Sequence, residues 1–542
     1  MKPPEPVEVD TDELSALRQR VASGTLAEGD SEILQRVITA FIFVSRLLEA
    51  KNTSIRRLRK MLFGSGTEKA SNVLDTREEE DGGPDDGPPN DAGGTGPPEK
   101  PTEKKRKKRK GHGRNGAAAY TGADREKISH QTLQHKDPCP ECPKGKVYVQ
   151  QDPGIIVRVR GAAPVQATVY ELQRLRCNLC GAVFTARAPE EAGEDKYDDS
   201  ARAMVALLKY GVGFPFNRIE KLQQNLGVPV PSSTLWDQME EGADKVYPAH
   251  AELLRQAAQG EVIYNDDTTN RVLELHKENK TKDEGERTGI FTTGIVSTSG
   301  GRKIAIFHTG RRHAGENLQA LLEKRETEMG PPIQMADALS RNTPKEAETL
   351  LASCLVHARR NFVDVAWAFP DECRHVIEAL GKVYRNDEVA RKEKMSAEDR
   401  LRYHQERSGR LMADLNAWLK AKLDNKEVEP NSGLGKAIKY MLKHWEKLTL
   451  FLRVPGAPLD NNAAERILKR VILHRKNALF YRSQFGAHIG DMYMSLIHTC
   501  SLMKANPFDY LVALQKYTAE VRKAPSRWMP WNFERAIASL GS

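Results

Sequence analysis

The chain has 542 residues, several domains' worth by the usual length prior. Lysine and arginine number 83 against 74 acidic residues, a net charge of +9, and this balance suits a polyanionic partner. No run of about 18 apolar residues is present, and the opening stretch MKPPEPVEVDTDE is polar. Neither a membrane span nor a secretory leader is therefore expected, and the protein is read as cytoplasmic.

From Ser31 to Phe63 the apolar positions repeat in sevens. Leu34, Phe41, Leu48, Ile55 and Leu62 form one row, and Val37, Val44 and Leu58 the companion row that Lys51 interrupts. Such a seam buries well against another helix, so 1–75 reads as a helical region with a dimerising coiled coil; packing on its own chain is the alternative. Residues 76–118 read as a disordered linker. It begins acidic and rich in glycine and proline, and it carries the basic run Lys104, Lys105, Arg106, Lys107, Lys108, Arg109. That composition cannot bury a core, and the basic run suits salt-screened contact with phosphates.

Four of the seven cysteines form Cys139-x₂-Cys142 and Cys177-x₂-Cys180 within 119–195. Two such knuckles with β-prone sequence between them read as a zinc ribbon, four thiolates closing a structural Zn²⁺ site that presents Arg174 and Arg176 to DNA. Disulfides are the alternative, which a reducing compartment disfavours. Cys354, Cys373 and Cys500 read as ordinary buried thiols. The next region, 196–254, is helical in pattern. One helix covers Asn217 to Asn225, a turn follows at Gly227 to Val230, and Ser232 or Ser233 caps a second helix through Gln238. This is a helix-turn-helix pattern whose second helix would enter a major groove, although bundles that bind nothing show it too.

A strand from Glu261 to Asn265 then runs into Asp266, Asp267, Thr268 and Thr269. Two β-rich runs follow, Gly289 to Ser297 and Lys303 to His308, then a helical run from Gly315 to Met329. Another strand, Pro332 to Ala336, delivers Asp337. Much later, Asp460 or Asn461 caps a helix whose buried face is Ile467, Leu468, Val471 and Ile472, with Glu465 about one turn in. Lys469, Arg470, His474, Arg475 and Lys476 come after it. Alone, Glu465 is explained by a surface ion pair or by the helix N-terminus. Together with carboxylates delivered by strands elsewhere, it reads as a metal ligand.

This order is the layout of a ribonuclease-H-like core with a two-metal carboxylate site, in which hard cations such as Mg²⁺ clamp the attacking and leaving oxygens of a phosphodiester. The core occupies 255–370 and 455–505, an all-α insertion fills 371–454, and 506–542 is a helical tail, so the fold class is multidomain α+β. His357 is a candidate for positioning a phosphate, though packed or capping histidines are commoner. Arg359, Arg360, Arg466, Arg475 and Lys476 are candidates for gripping phosphates.

Asp266–Asp267–Thr268, CLVHARRNF at 354–362, NSGLGKAIKY at 431–440, DNNAAER at 460–466 and HRKNALF at 474–480 together resemble the IS66-family transposases, as does RLRKMLFGSGTEK at 57–69. The resemblance implies that Asp266, Asp337 and Glu465 are a DDE triad holding two Mg²⁺ (or Mn²⁺) ions. It implies cleavage at the ends of an insertion element to leave a 3′-hydroxyl, which then attacks target DNA with no covalent protein intermediate. The implied partners are double-stranded DNA (terminal inverted repeats and target), a second copy or more of the chain, and small accessory proteins of the same element. The implied setting is a bacterial cytoplasm, on the nucleoid when DNA is bound.

Two departures stand out. The family has Asp-Glu-Thr where this chain has Asp266–Asp267–Thr268; strand alternation alone leaves the neighbours open, and the motif favours Asp266. The family has Asp-Gly-Tyr where this chain has Asp337–Ala338–Leu339, so the turn there must differ. Two other functions remain compatible: a transposase-derived DNA-binding protein without chemistry, and a nuclease of the same fold that cuts without joining.

Overall fold

The computed structural model describes residues 20–21, 30, 35, 131–140, 142–149, 162–176 and 183–540. The heptad rows from Leu34 to Leu62, the linker with Lys104 to Arg109, and Cys177 and Cys180 lie outside the described residues. Two short antiparallel hairpins come first: β1 (Pro138–Cys139) with β2 (Cys142–Lys146), and β3 (Arg174–Arg176) with β4 (Val183–Thr185).

Helix α1 (Asp199–Ala206) starts where the Asp198 side chain accepts the Ala201 N–H, and it continues through a π turn at Leu207–Gly211. Helices α2 (Phe216–Asn225) and α3 (Ser232–Ala258) follow. Helix α3 runs far beyond Gln238. Met239, Ala243, Val246, Ala249, Leu253 and Ala257 continue a buried row at helical spacing, and Pro248 does not interrupt it. Neither Ser232 nor Ser233 caps it. Pro231 holds the cap position, and the Glu220 carboxylate of α2 accepts both the N–H of Ser232, at 3.2 Å, and its hydroxyl.

Strand β5 (Val262–Thr269), helix α4 (Leu273–Glu278), strands β6 (Phe291–Ser299) and β7 (Arg302–Gly310), helix α5 (Ala314–Leu322), and strands β8 (Ile333–Ala336) and β9 (Leu350–Ser353) form the central layer. The sheet order is β7-β6-β5-β8-β9; β6 is antiparallel to both neighbours, and β5, β8 and β9 are parallel. Strand β5 is longer than its sequence suggested, so Asp266 and Asp267 lie inside it, opposite Gly294 and Thr293 of β6. Helix α5 stops well before Met329, and beyond its end the Arg325 guanidinium donates to the carbonyls of Ala258, Gly260 and Gly330. Strand β9 is too short and too uniform (Leu-Leu-Ala-Ser) to announce itself by alternation.

From there the chain is helical: α6 (Leu355–Val363), α7 (Pro370–Lys392), α8 (Ala397–Arg407), α9 (Gly409–Asp424), α10 (Gly433–Lys443) and α11 (Trp445–Leu448). Their apolar faces share a core with β8 and β9, including Met335, Ala352, Phe362, Leu380, Leu415 and Ile438. Helices α12 (Asn462–Ala478), α13 (Gln484–Met503), α14 (Pro507–Lys516), α15 (Thr518–Lys523) and α16 (Phe533–Leu540) complete the described chain. Tyr510 and Phe533 are buried with Ile306, Leu253, Leu318, Leu468 and Tyr493 in the other core. No described helix is long and apolar enough to cross a membrane.

Helix α13 seals the sheet edge. The N–H groups of Ala305, Phe307 and Thr309 on β7 donate to Thr499 Oγ1 (3.0 Å), Ser495 Oγ (3.1 Å) and Asp491 Oδ2 (2.6 Å). Four helical residues advance about 6 Å and two strand residues about 6.8 Å, so the rungs stay in step for three bonds.

Candidate active site

Successive side chains on β5 point to opposite faces, and the two aspartates have opposite surroundings. The Asp267 side chain is buried (1 % exposed) and compensated: its carboxylate lies 2.9 Å from His313 Nδ1, 3.4 Å from Arg341 Nη2 and 3.4 Å from the Ala314 N–H. Among the described residues, Asp266 has no such cation. The Asn342 amide donates to Asp266 Oδ1 at 3.4 Å and, more closely, to Asp337 Oδ1. A single buried amide thus bridges the carboxylates of β5 and of the segment after β8.

That amide is held by others. The Asn342 main-chain carbonyl accepts from Asn265 Nδ2 (2.7 Å) and Gln334 Nε2 (2.8 Å), and Gln334 Nε2 also donates to Asn265 Oδ1 (2.9 Å). Asn461 Nδ2 donates to the Asn265 carbonyl at 3.1 Å, tying the head of α12 to β5. All four side chains are fully buried. Gly315 lets α5 lie against the turn that carries Asn342, since a Cβ there would sit 2.3 Å from the Thr343 carbonyl oxygen. Sequence reading missed this network, because lone amides have no diagnostic spacing.

Glu465 lies in the first turn of α12, and its approach depends on a glycine. Gly294, the partner of Asp266 in the sheet, faces α12 so closely that a Cβ would lie 3.0 Å from Leu468 Cδ2 and 3.1 Å from Ile467 Cδ1. Asp460 rather than Asn461 satisfies the first free N–H, Asp460 Oδ1 accepting from Asn462 at 3.1 Å. Glu465 Oε1 is 4.0 Å from His357 Nε2 on α6.

The electrostatics single out Asp266. Burial first, then the charge of Asp337, and further the charges of Asp267 and Glu465, push its carboxyl up to about 7. Among the described residues, nothing donates a hydrogen bond to buried Asn342 Oδ1, Asn461 Oδ1 or Glu465 Oε1. Unmatched buried oxygens beside a carboxyl that resists ionising mark a site short of positive charge. Oxygen donors of this kind fit a hard divalent cation.

Arg466, Lys469, Arg470 and Lys476 project into solvent along α12. Arg475 instead turns back onto the Thr269 carbonyl and hydroxyl at the end of β5. Arg359 and Arg360 are half-buried on α6, next to His357. The α12 helix ends in strain: Leu479 has φ 68° and ψ −44°, and the Phe480 N–H closes a tight turn onto the Ala478 carbonyl at 2.8 Å.

The two hairpins bracket the cysteine pairs. Cys139 and Cys142 are register partners across β1 and β2, while β3 and β4 flank the segment holding Cys177 and Cys180. The second helix of the expected helix-turn-helix, α3, shows solvent an acidic row, Asp237, Glu240, Glu241 and Asp244, whereas α2 exposes Arg218 and Lys221. Those α3 carboxylates would repel a phosphate backbone.

The chain is 28 % identical over 391 residues to the uncharacterized protein y4hP of Sinorhizobium fredii (strain NBRC 101917 / NGR234), covering 68 % of each chain. It is 34 % identical over 203 residues to y4jD of the same strain, covering 36 % of this chain and 39 % of that one. It is 27 % identical over 357 residues to y4qI, covering 61 % and 62 %. A family model described as "Transposase IS66 family" matches residues 196–489, more than half of the chain and the span that holds all three carboxylates. The chain belongs to the IS66 family of transposases.

Proposed function

We propose that this transposase cuts DNA at the ends of its element and joins them to a target by a DDE mechanism, with Asp266, Asp337 and Glu465 as the acidic triad. The observation that supports the reading is the Asn342 amide shared by Asp266 and Asp337, with Glu465 close enough for its charge to help raise the Asp266 carboxyl, which has no compensating cation among the described residues. The triad would hold Mg²⁺ or Mn²⁺, whose bound ions activate the attacking oxygen and stabilise the leaving one. Asp266 and Asp337 present oxygens that Asn342 orients, and Glu465 closes the site from α12. Asp267 is a positioning residue that fixes β5 against His313 and Arg341.

Double-stranded DNA would run over the outward face of α12, where Arg466, Lys469, Arg470 and Lys476 contact phosphates. The basic run at Lys104–Arg109 and the exposed Arg174 would add contacts. The basic side of the α2–α3 pair is α2, so any groove contact belongs there rather than to α3. Cys139, Cys142, Cys177 and Cys180 would close a structural Zn²⁺ ribbon, and the heptad at 31–63 would pair two copies. Accessory proteins of the element remain an implication of the family alone.

Glu465→Gln should retain binding to DNA carrying the element's ends and lose Mg²⁺-dependent strand cleavage by at least about a hundredfold, the scale of removing one preorganised electrostatic group from an active site. Cleavage at the wild-type rate would refute the triad. Cleavage without any joined product would favour a nuclease that cuts without joining.

A further inference from the structure

Cys354 sits at the meeting of two helix starts. It is the N-cap residue of α6, and its sulfur accepts the N–H of Asn461, the N-cap of α12, at 3.3 Å. The sulfur is thus buried between the first turns of two helices. To hold a cation, such a sulfur needs nitrogen or oxygen co-ligands.

The missing partners are adjacent. Among the described residues, Cys354, His357 and Glu465 are the trio whose ligand atoms all lie within 4.8 Å of one another. Among those residues, too, Glu465 Oε1, which lies 4.0 Å from His357 Nε2, is buried without a hydrogen-bond partner. Tetrahedral zinc holds sulfur at about 2.3 Å and nitrogen or oxygen at about 2.0–2.2 Å, so side-chain shifts of about 1 Å would close the trio on one ion.

We propose that Cys354, His357 and Glu465 form a second metal site, selective for a thiophilic divalent cation such as Zn²⁺, that competes with the hard-cation site for Glu465. Binding forms one bond to each of sulfur, imidazole nitrogen and carboxylate oxygen, and it releases the Cys354 thiol proton to solvent. A soft cation would hold Glu465 on the α6 side, away from Asp266 and Asp337. The binding step stands on the trio alone; its consequence for cleavage rests on the role assigned to Glu465 above.

Titration of metal-stripped full-length protein with Co²⁺ tests this, with uptake read from thiolate-to-cobalt charge transfer and visible ligand-field bands. A ribbon of Cys139, Cys142, Cys177 and Cys180 would also take up Co²⁺, so the comparison is between wild type, Cys354→Ala and His357→Ala. Wild type should bind one more equivalent per chain than Cys354→Ala, with a thiolate band in the difference spectrum. His357→Ala should bind that last equivalent at least tenfold more weakly. Equal stoichiometry and affinity in all three would overturn the proposal. Melting curves check folding, and Cys354→Ser and His357→Gln supply the same comparison if either alanine variant unfolds. If Co²⁺ uptake is equal throughout while Glu465→Gln still abolishes cleavage, this site falls and the triad stands. If the extra equivalent is present while Glu465→Gln still cleaves, the reverse holds.

Discussion

Replacing Asp266 by asparagine should stabilise the metal-free protein at high pH. The rise of the Asp266 carboxyl from 3.8 to about 7 corresponds to about 4 kcal/mol at about 1.4 kcal/mol per pH unit. The sign follows from which state keeps the proton. Below pH 3.8 both the folded and unfolded chains are protonated there, and nothing is lost. As pH rises towards about 7, the unfolded chain ionises freely while the folded one resists, so stability falls across that window. An asparagine side chain at this position would keep accepting the Asp267 N–H and the Asn342 amide through its carbonyl oxygen, but it carries no charge.

In magnesium-free buffer, Asp266→Asn should match wild type near pH 4 and exceed it by up to about 4 kcal/mol at pH 8. Denaturant titrations at several pH values measure this, and the difference between the proteins isolates the site. That comparison is needed because buried Asp491, also raised to about 7, gives both proteins a slope of the same sign. Magnesium should narrow the gap, by about 2.7 kcal/mol at a hundredfold excess over its dissociation constant. A pH-independent difference, or a wild type more stable than the variant at pH 8, would refute the claim that Asp266 is the uncompensated carboxylate.

Other consequences follow from the packing and the charge. Gly294→Val should force Ile467 and Leu468 off the sheet, cost about 1–3 kcal/mol and abolish cleavage, while DNA retention in a gel-shift assay persists; unchanged cleavage would show that α12 needs no such closeness. Ser495→Ala and Thr499→Val each leave a β7 N–H unmatched and should lower stability by about 1–3 kcal/mol in denaturant melts; a neutral result would mean that water replaces the hydroxyl. Changing Arg466, Lys469, Arg470 and Lys476 to glutamine should flatten the salt dependence of DNA binding by about 0.9 in log–log slope for each phosphate that is no longer neutralised; an unchanged slope would place the DNA elsewhere.

The parts of this architecture that sequence made legible are those with a period or a rare pattern. The strands leading to Asp266 and Asp337 showed as short apolar runs, and α12 as a helix with an apolar row and a basic one. What periodicity cannot carry is which of two neighbours meets a partner distant in the chain. Asp266 and Asp267 look alike until His313 and Arg341 are seen to claim Asp267. Asn265, Gln334, Asn342 and Asn461 were invisible for the same reason, each being an isolated amide whose value lies in three others. Cys354 read correctly as buried; its nearness to His357 and Glu465 depends on α6 and α12 starting at the same place. The turn motif before α3 predicts where that helix starts but not where it ends, which the apolar row from Met239 to Ala257 decides. The helix's acidic row was already present in the letters Asp237, Glu240, Glu241 and Asp244.

The hydroxyl-and-carboxylate ladder on β7 has a cost during biosynthesis. Its three rungs are supplied by residues 182 to 194 positions further along the chain. At about 5–20 residues per second on the ribosome, that strand waits roughly 10–40 s with bare backbone donors. For that interval the nascent protein offers an open edge to any passing strand, and a message truncated before α13 would yield a product that never loses it. Folding yield should therefore respond to chaperone supply and translation speed more than to the stability of the finished enzyme.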